Sequence, residues 1–80
     1  MSYYIYVLIL EGDKYFIGRT IDVIRRMYDH QMGQAGDWTR RYKPLGAERI
    51  IENTSASDLE KVYQEYVKKF GSDNVRKDEY

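Results

Sequence analysis

The chain contains no cysteine, which excludes disulfide bonds, thiolate zinc sites and thiol nucleophiles. Its single histidine excludes a multi-histidine metal centre. The 13 basic and 13 acidic residues cancel, so the chain lacks the positive excess that drives nonspecific binding to nucleic acid. No apolar run approaches the roughly 20 residues of a membrane span, and no basic export signal is present. We therefore expect a protein of the cytoplasm, or of the host cell interior if the source is viral, that is not secreted and has no membrane partner.

The 80 residues that are present, 42% of them hydrophobic, predict one globular domain over 1–80. Residues 3–10 and 14–18 are β-branched and aromatic and are separated by a glycine-containing turn, which predicts a β-hairpin. Helical spacing of apolar residues predicts helices over 21–32 and 59–70, with a strand over 46–52 between them. The expected fold is α+β, with a small three-stranded antiparallel β-sheet flanked by helices in the order β-β-α-β-α, followed by a loosely held polar end.

Charge is unevenly distributed despite the zero sum. Residues 14–49 contain eight basic and four acidic residues, and a locally basic surface of this kind is typical of phosphate binding. A solvated surface of mixed charge is the alternative interpretation of the same residues.

Two residues of the first predicted helix carry possible chemistry. Arg26 and His30 are four residues apart and share one helix face, which Arg19 approaches from just before the helix. An arginine there suits an anion, and a histidine suits proton transfer. Local ion pairing between Asp22 and Arg26 is the alternative.

The segment 37–44 interleaves aromatic and cationic residues. Trp38 offers a ring on which a base stacks, and Arg40, Arg41 and Lys43 offer charge to a nucleic-acid backbone. The alternative is that Trp38 covers the core beneath a loop.

These features occur together in one ordered set of motifs. Tyr4-Ile5-Tyr6 and Phe16-Ile17-Gly18 are followed by Arg26 and His30, by the phrase WTRRYKPLG and by the helix-containing phrase EKVYQEYVKKFGSDNVR. The set covers nearly the whole chain and resembles the GIY-YIG nuclease domain, in particular its short stand-alone members.

The resemblance implies hydrolysis of DNA phosphodiester bonds with one Mg²⁺ or Mn²⁺ ion. It implies that Tyr6 activates the attacking water, that Arg26 stabilises charge on the phosphate and that His30 assists proton transfer. Glu60 would be the metal ligand, since a hard cation takes a carboxylate oxygen. The residues expected to bind DNA are Arg19, Trp38, Arg40, Arg41, Lys43 and Asn74.

Two positions depart from the family pattern. Tyr4 stands where the first motif has glycine, and Phe16 stands where the second has tyrosine, so a hydroxyl expected beside the attacking water is absent. The alternative function is therefore a catalytically weakened nucleic-acid-binding module, and a third is an interaction domain without nucleic acid. Selectivity is expected from a homo-oligomer or a protein partner.

The role of Glu60 depends on where its helix begins. A capping box of Ser57 with Glu60 would use this carboxylate to cap the start of the helix, whereas one of Ser55 with Asp58 leaves Glu60 inside the helix. We favour the earlier start, which the apolar stripe from Leu59 onwards also favours.

Overall fold

The hydrophobic hairpin forms the centre of a small α+β domain in the computed structural model, which describes residues 2–78. Strands β1 and β2 pair antiparallel around a turn in which Gly12 and Asp13 adopt positive φ. Strand β3 pairs antiparallel with the other edge of β1. The elements in chain order are β1 (Tyr4–Leu10), β2 (Lys14–Thr20), α1 (Val23–Gln31), α2 (Asp37–Arg41), β3 (Pro44–Ile51), α3 (Ala56–Phe70), a 3₁₀ turn (Ser72–Asn74) and β4 (Val75–Lys77).

The sheet has a fourth strand that the sequence did not predict. The strand order of the sheet is β3-β1-β2-β4, and β4 runs parallel to β2. The expectation of three antiparallel strands was therefore incomplete. The polar end expected to be loose is instead anchored by Val75, which is fully buried. Three residues are too short to show a strand periodicity, and only the return of the chain after α3 brings them to the edge of β2.

Side chains of the hairpin alternate between two cores. Ile5, Val7 and Ile17 face α3, whereas Tyr6 and Phe16 face α1 and α2. Tyr15 lies on the α3 side, with its ring stacked on Phe70 at 4.3 Å between centroids. The sheet therefore separates the surroundings of α3 from those of α1.

Helix α1 does not bury the apolar stripe that its sequence indicates. Ile24 is 83% exposed and Tyr28 is 58% exposed, whereas His30 is buried with Val23 and Met27 against the sheet. The helix is rotated in this way because the sheet below it presents the hydroxyl of Tyr6, which gives the imidazole a hydrogen-bond partner. Apolar periodicity alone contains no information about such a partner.

The beginning of α3 is as predicted. Ser55 is the N-cap, and Ser55 and Asp58 form the capping box, so Glu60 lies inside the helix. The segment 37–41, which lies outside the two predicted helices, is the helix α2. Among residues 2–78, no helix has the length and apolar character needed to cross a membrane.

Candidate active site

A close contact between the two name-giving motifs places Tyr6. Tyr6 of β1 pairs with Gly18 of β2, and its phenol ring lies directly over the glycine. A Cβ atom at position 18 would lie 2.1 Å from Cζ of Tyr6 and 2.2 Å from its hydroxyl oxygen. Any side chain at position 18 would displace the ring, so glycine is required here for the phenol to cross β2 and reach α1.

The Tyr6 hydroxyl begins a buried chain of hydrogen bonds. Its oxygen is 2.9 Å from Nε2 of His30, and Nδ1 of His30 is 2.8 Å from Oγ1 of Thr39 in α2. All three side chains are buried. Burial, and to a smaller extent the charge of the nearby Arg26 guanidinium, lower the pKa of His30 to about 4, although the carboxylate of Asp29 opposes this effect. The imidazole is therefore neutral at pH 7, with one ring nitrogen donating and the other accepting.

Phe16 separates this chain from solvent. Its ring centroid is 4.7 Å from that of His30 and 6.2 Å from that of Tyr6, and the residue is buried. Phe16 also forms part of the wall of an adjacent cleft. The family's second motif usually has tyrosine at position 16. The hydroxyl of such a tyrosine would lie at the boundary between the cleft and the Tyr6–His30 pair, and Phe16 leaves this boundary apolar.

The cleft itself lies between α1, α2 and β4 and has a volume of about 750 Å³. Trp38 lines it while its indole N–H donates to the carbonyl of Tyr15 at 2.9 Å, so this residue both covers the sheet and faces the cleft. The guanidinium of Arg76 lies over the Trp38 ring at 4.4 Å from the centroid. The charged and aromatic residues of the wall are Phe16, Arg26, Asp37, Trp38, Arg41, Arg76, Lys77 and Asp78.

Arg26 faces a buried carboxylate in this cleft. Its Nη2 atom is 3.6 Å from Oδ1 of Asp78, whose Oδ2 accepts a hydrogen bond from the backbone N–H of Arg19 at 3.0 Å. Burial raises the pKa of the Asp78 carboxyl, although the hydrogen bond from Arg19 and the charge of Arg26 oppose this effect. Asp78 was not among the predicted site residues, because it follows a strand that was not predicted. Thr39 was not predicted either, although it belongs to the phrase WTRRYKPLG.

The other arginine and lysine residues expected to bind DNA differ in whether they line the cleft. Arg41 lines the cleft, and its neighbour Arg40 is exposed and pairs with Asp37 at 3.1 Å. Lys43 is exposed, and its backbone N–H donates to the carboxylate of Glu11 at 3.3 Å.

Arg19 and Asn74 have structural partners. The Arg19 guanidinium lies over the Tyr3 ring at 3.9 Å and donates to the carbonyl of Thr54 at 3.2 Å, on the α3 side of the sheet. The Asn74 amide donates to the carbonyl of Phe70 at 2.7 Å and therefore closes the end of α3. Neither side chain lines the cleft.

Glu60 lies apart from the other expected catalytic residues. Helix α3 covers the sheet face opposite Tyr6 and His30, and the Glu60 carboxylate pairs with the ammonium group of Lys77 and accepts from Gln64 at 2.8 Å. These two hydrogen bonds lower the pKa of Glu60, and the bond from Lys77 has the larger effect. Within the described chain, no three histidine or acidic side chains gather as a metal-ligand set.

Comparison with known proteins agrees with the motifs. A model of the GIY-YIG catalytic domain matches residues 2–74. UPF0213 proteins of Cupriavidus necator and Cupriavidus pinatubonensis are 39% and 42% identical to the chain over 44 residues. That alignment covers 55% of this chain and only 48% and 49% of the two relatives, and no solved structure shows significant similarity. Because the domain model spans both strand motifs, the Arg26–His30 helix and Asn74, the chain belongs to the GIY-YIG family.

Proposed function

We propose that this domain is an endonuclease that hydrolyses DNA phosphodiester bonds. The observation that carries the proposal is the buried Tyr6–His30–Thr39 hydrogen-bond chain, which lies near Arg26 and behind the wall of the cleft that Arg26 lines. Buried polar side chains cost stability unless they are paired, and a domain that only needed a core would be more stable with apolar residues at these positions. Membership of the GIY-YIG family supports a nuclease-type activity.

The site residues have complementary roles in such a reaction. The Tyr6 oxygen takes a proton from the attacking water while its own proton moves to Nε2 of the neutral His30. Thr39 holds the other ring nitrogen and so fixes the orientation of the imidazole. Arg26 stabilises the charge that grows on the phosphate oxygens as the water oxygen bonds to phosphorus and the bond to one sugar oxygen breaks. The leaving oxygen is protonated from solvent.

We retain the proposal that one Mg²⁺ or Mn²⁺ ion is required, with Glu60 as its carboxylate ligand. The resemblance to the family supports it, and so does the preference of these ions for oxygen. In the conformation described here, the Lys77 ammonium lies against Glu60, so an ion would have to replace it. Titration of Mn²⁺ tests the assignment: Glu60→Gln should abolish binding, and Glu65→Gln, which removes a carboxylate from the same helix, should not.

A catalytically weakened DNA-binding module is the second candidate. Phe16 favours it, because the phenyl ring gives the cleft no hydroxyl beside the Tyr6–His30 pair. In either case DNA is the proposed partner. We also propose that selectivity comes from self-association or a protein partner. Several apolar side chains of α1 and its flanks are exposed and support this, namely Ile21, Ile24, Tyr28 and Met32.

The first prediction separates the two candidates by nicking of supercoiled plasmid with Mg²⁺ or Mn²⁺ against an EDTA control. Tyr6→Phe and Arg26→Ala should each reduce the rate by about 10²–10³, the usual effect of removing one preorganised group. Tyr28→Phe and Arg25→Ala are matched controls on the exposed side of α1 and should cleave like the wild type. Wild-type rates for Tyr6→Phe or Arg26→Ala would exclude the assigned roles, and binding without any cleavage would select the second candidate.

A further inference from the structure

The end of the chain described here supplies counter-ions to two residues that the proposed function uses. Lys77 ends β4 and pairs with Glu60, and the next residue, Asp78, pairs with Arg26. Successive residues of an extended chain point to opposite faces: Lys77 contributes to the cleft wall, but its ammonium group reaches α3, whereas the Asp78 carboxylate faces the cleft. Two adjacent residues of opposite charge thus match two expected catalytic residues of opposite charge.

The environment of Asp78 suits a bound anion. The residue is only 8% exposed, one carboxylate oxygen faces the Arg26 guanidinium, and the other accepts from the Arg19 backbone N–H. Arg76 and Arg41 line the same cleft. A phosphodiester offers a guanidinium the same kind of anionic oxygen acceptors as a carboxylate does. Asp78 therefore occupies the position at Arg26 that a phosphate of the substrate would need.

We propose that Asp78 acts as an internal substitute for the substrate phosphate and that DNA binds only when this carboxylate leaves Arg26. The inference rests on the proposed function, in which Arg26 binds the phosphate. One further observation supports it. Strand β4 pairs with β2 through three residue pairs and one more backbone hydrogen bond, from the N–H of Asp78 to the carbonyl of Ile17 at 3.0 Å, so few contacts hold its end and this end can detach while the rest of the sheet stays intact.

The contact between Asp78 and Arg26 lowers the apparent affinity for DNA by an amount that depends on how often it is formed. The apparent dissociation constant equals the intrinsic one divided by the fraction of molecules in which Arg26 is open. If about nine molecules in ten are closed, removing the carboxylate charge tightens binding about tenfold. A catalytic role for Asp78 gives a different result, because the same change would then remove cleavage and leave the affinity for DNA unchanged.

The test measures binding of a short fluorescein-labelled DNA duplex in EDTA, where no metal-dependent cleavage occurs. Asp78→Asn keeps an acceptor for the Arg19 N–H and removes the charge, and it should bind about tenfold more tightly than the wild type. Asp37→Asn is the matched control: it removes an equal charge from the wall of the same cleft, but its carboxylate is solvent-exposed and screened. Its affinity should change by no more than about twofold. Thermal unfolding verifies that each variant is folded.

A double variant and a second probe complete the design. In an Arg26→Ala background, Asp78→Asn should tighten DNA binding no more than Asp37→Asn does. The guanidinium for which Asp78 and the DNA phosphate compete is then absent. Inorganic phosphate, followed by the NMR signal of the Arg26 side chain, should saturate Asp78→Asn at lower concentration than the wild type.

The outcomes are distinguishable from failure of the proposed function. Affinity of Asp78→Asn equal to that of Asp37→Asn, or a gain that persists in the Arg26→Ala background, overturns the inference. Loss of cleavage in Asp78→Asn at unchanged DNA affinity also overturns it and makes Asp78 a catalytic residue. If no variant cleaves DNA but Asp78→Asn binds more tightly, the nuclease proposal fails while the displacement of Asp78 is supported in a binding module.

Discussion

At the scale of single residues, the contact of Tyr6 with Gly18 determines the site. The glycine lets the phenol ring cross β2, and this crossing brings the hydroxyl to His30. The family motifs therefore describe one packing arrangement as well as a set of chemical groups. The departure at Tyr4 leaves this arrangement unchanged, because Tyr4 pairs with Thr20 at the end of the hairpin.

The second prediction tests this packing. Gly18→Ala places a methyl group within 2.1 Å of the buried Tyr6 ring and should lower the free energy of unfolding by about 3 kcal/mol, the upper end for an overpacked core. Gly46→Ala is the control, since nothing lies within 4 Å of the added Cβ in that strand. Tyr6→Ala should cost less stability in the Gly18→Ala variant than in the wild type, because the clash is then relieved, and urea unfolding of the four proteins measures this difference. Equal stability of the Gly18→Ala and Gly46→Ala variants would contradict the contact.

The third prediction follows from the buried imidazole. The pKa of His30 is about 4 in the folded domain and near 6.5 when unfolded, so only the unfolded chain gains this proton between these values. The free energy of unfolding should therefore fall by about 3 kcal/mol as pH decreases from 6.5 to 4, and the contribution is intact above pH 6.5. In His30→Gln the fall over this window should be smaller by that amount. Urea unfolding across the range measures both, and identical slopes would show that His30 titrates normally.

At the scale of elements, the difference between predicted and observed structure depends on tertiary partners. The hairpin, the start of α3 and the strand β3 follow from local patterns that the sequence contains in full. The rotation of α1 and the strand β4 do not, because each depends on a surface formed by residues far away in the chain. The separation of Glu60 from Tyr6 has the same origin, since helical spacing does not tell which face of the sheet α3 covers.

The fourth prediction concerns α2 and its two arginines. Arg41 lines the cleft, whereas Arg40 already pairs with Asp37. Arg41→Ala should weaken DNA binding more than Arg40→Ala does, and it should reduce the slope of log affinity against log salt by about 0.7–0.9, the value for one lost phosphate contact. Fluorescence anisotropy at several salt concentrations gives both quantities. An unchanged slope for Arg41→Ala would assign α2 to a solvated surface without DNA contact.

At the scale of the whole molecule, a neutral protein presents a cleft of mixed charge rather than a uniformly basic face. Arg26, Arg41 and Arg76 line this cleft, and Asp37 and Asp78 line it too. The zero net charge is thus compatible with binding an anion at one place, provided that the internal carboxylate gives way to it. Composition predicts the weak nonspecific attraction, but it contains no information about this local competition.

The parallel pairing of β4 with β2 also bears on how the domain is completed during its synthesis. Residues 14–20 leave the ribosome long before residues 75–78, so the edge of β2 stays unpaired until every other element has emerged. Such a distant pairing closes a long loop and forms late. A nascent chain holds the hairpin, α1 and α2 but neither Arg76 nor Asp78. The domain therefore acquires its cleft and the carboxylate that blocks it in a single closing step.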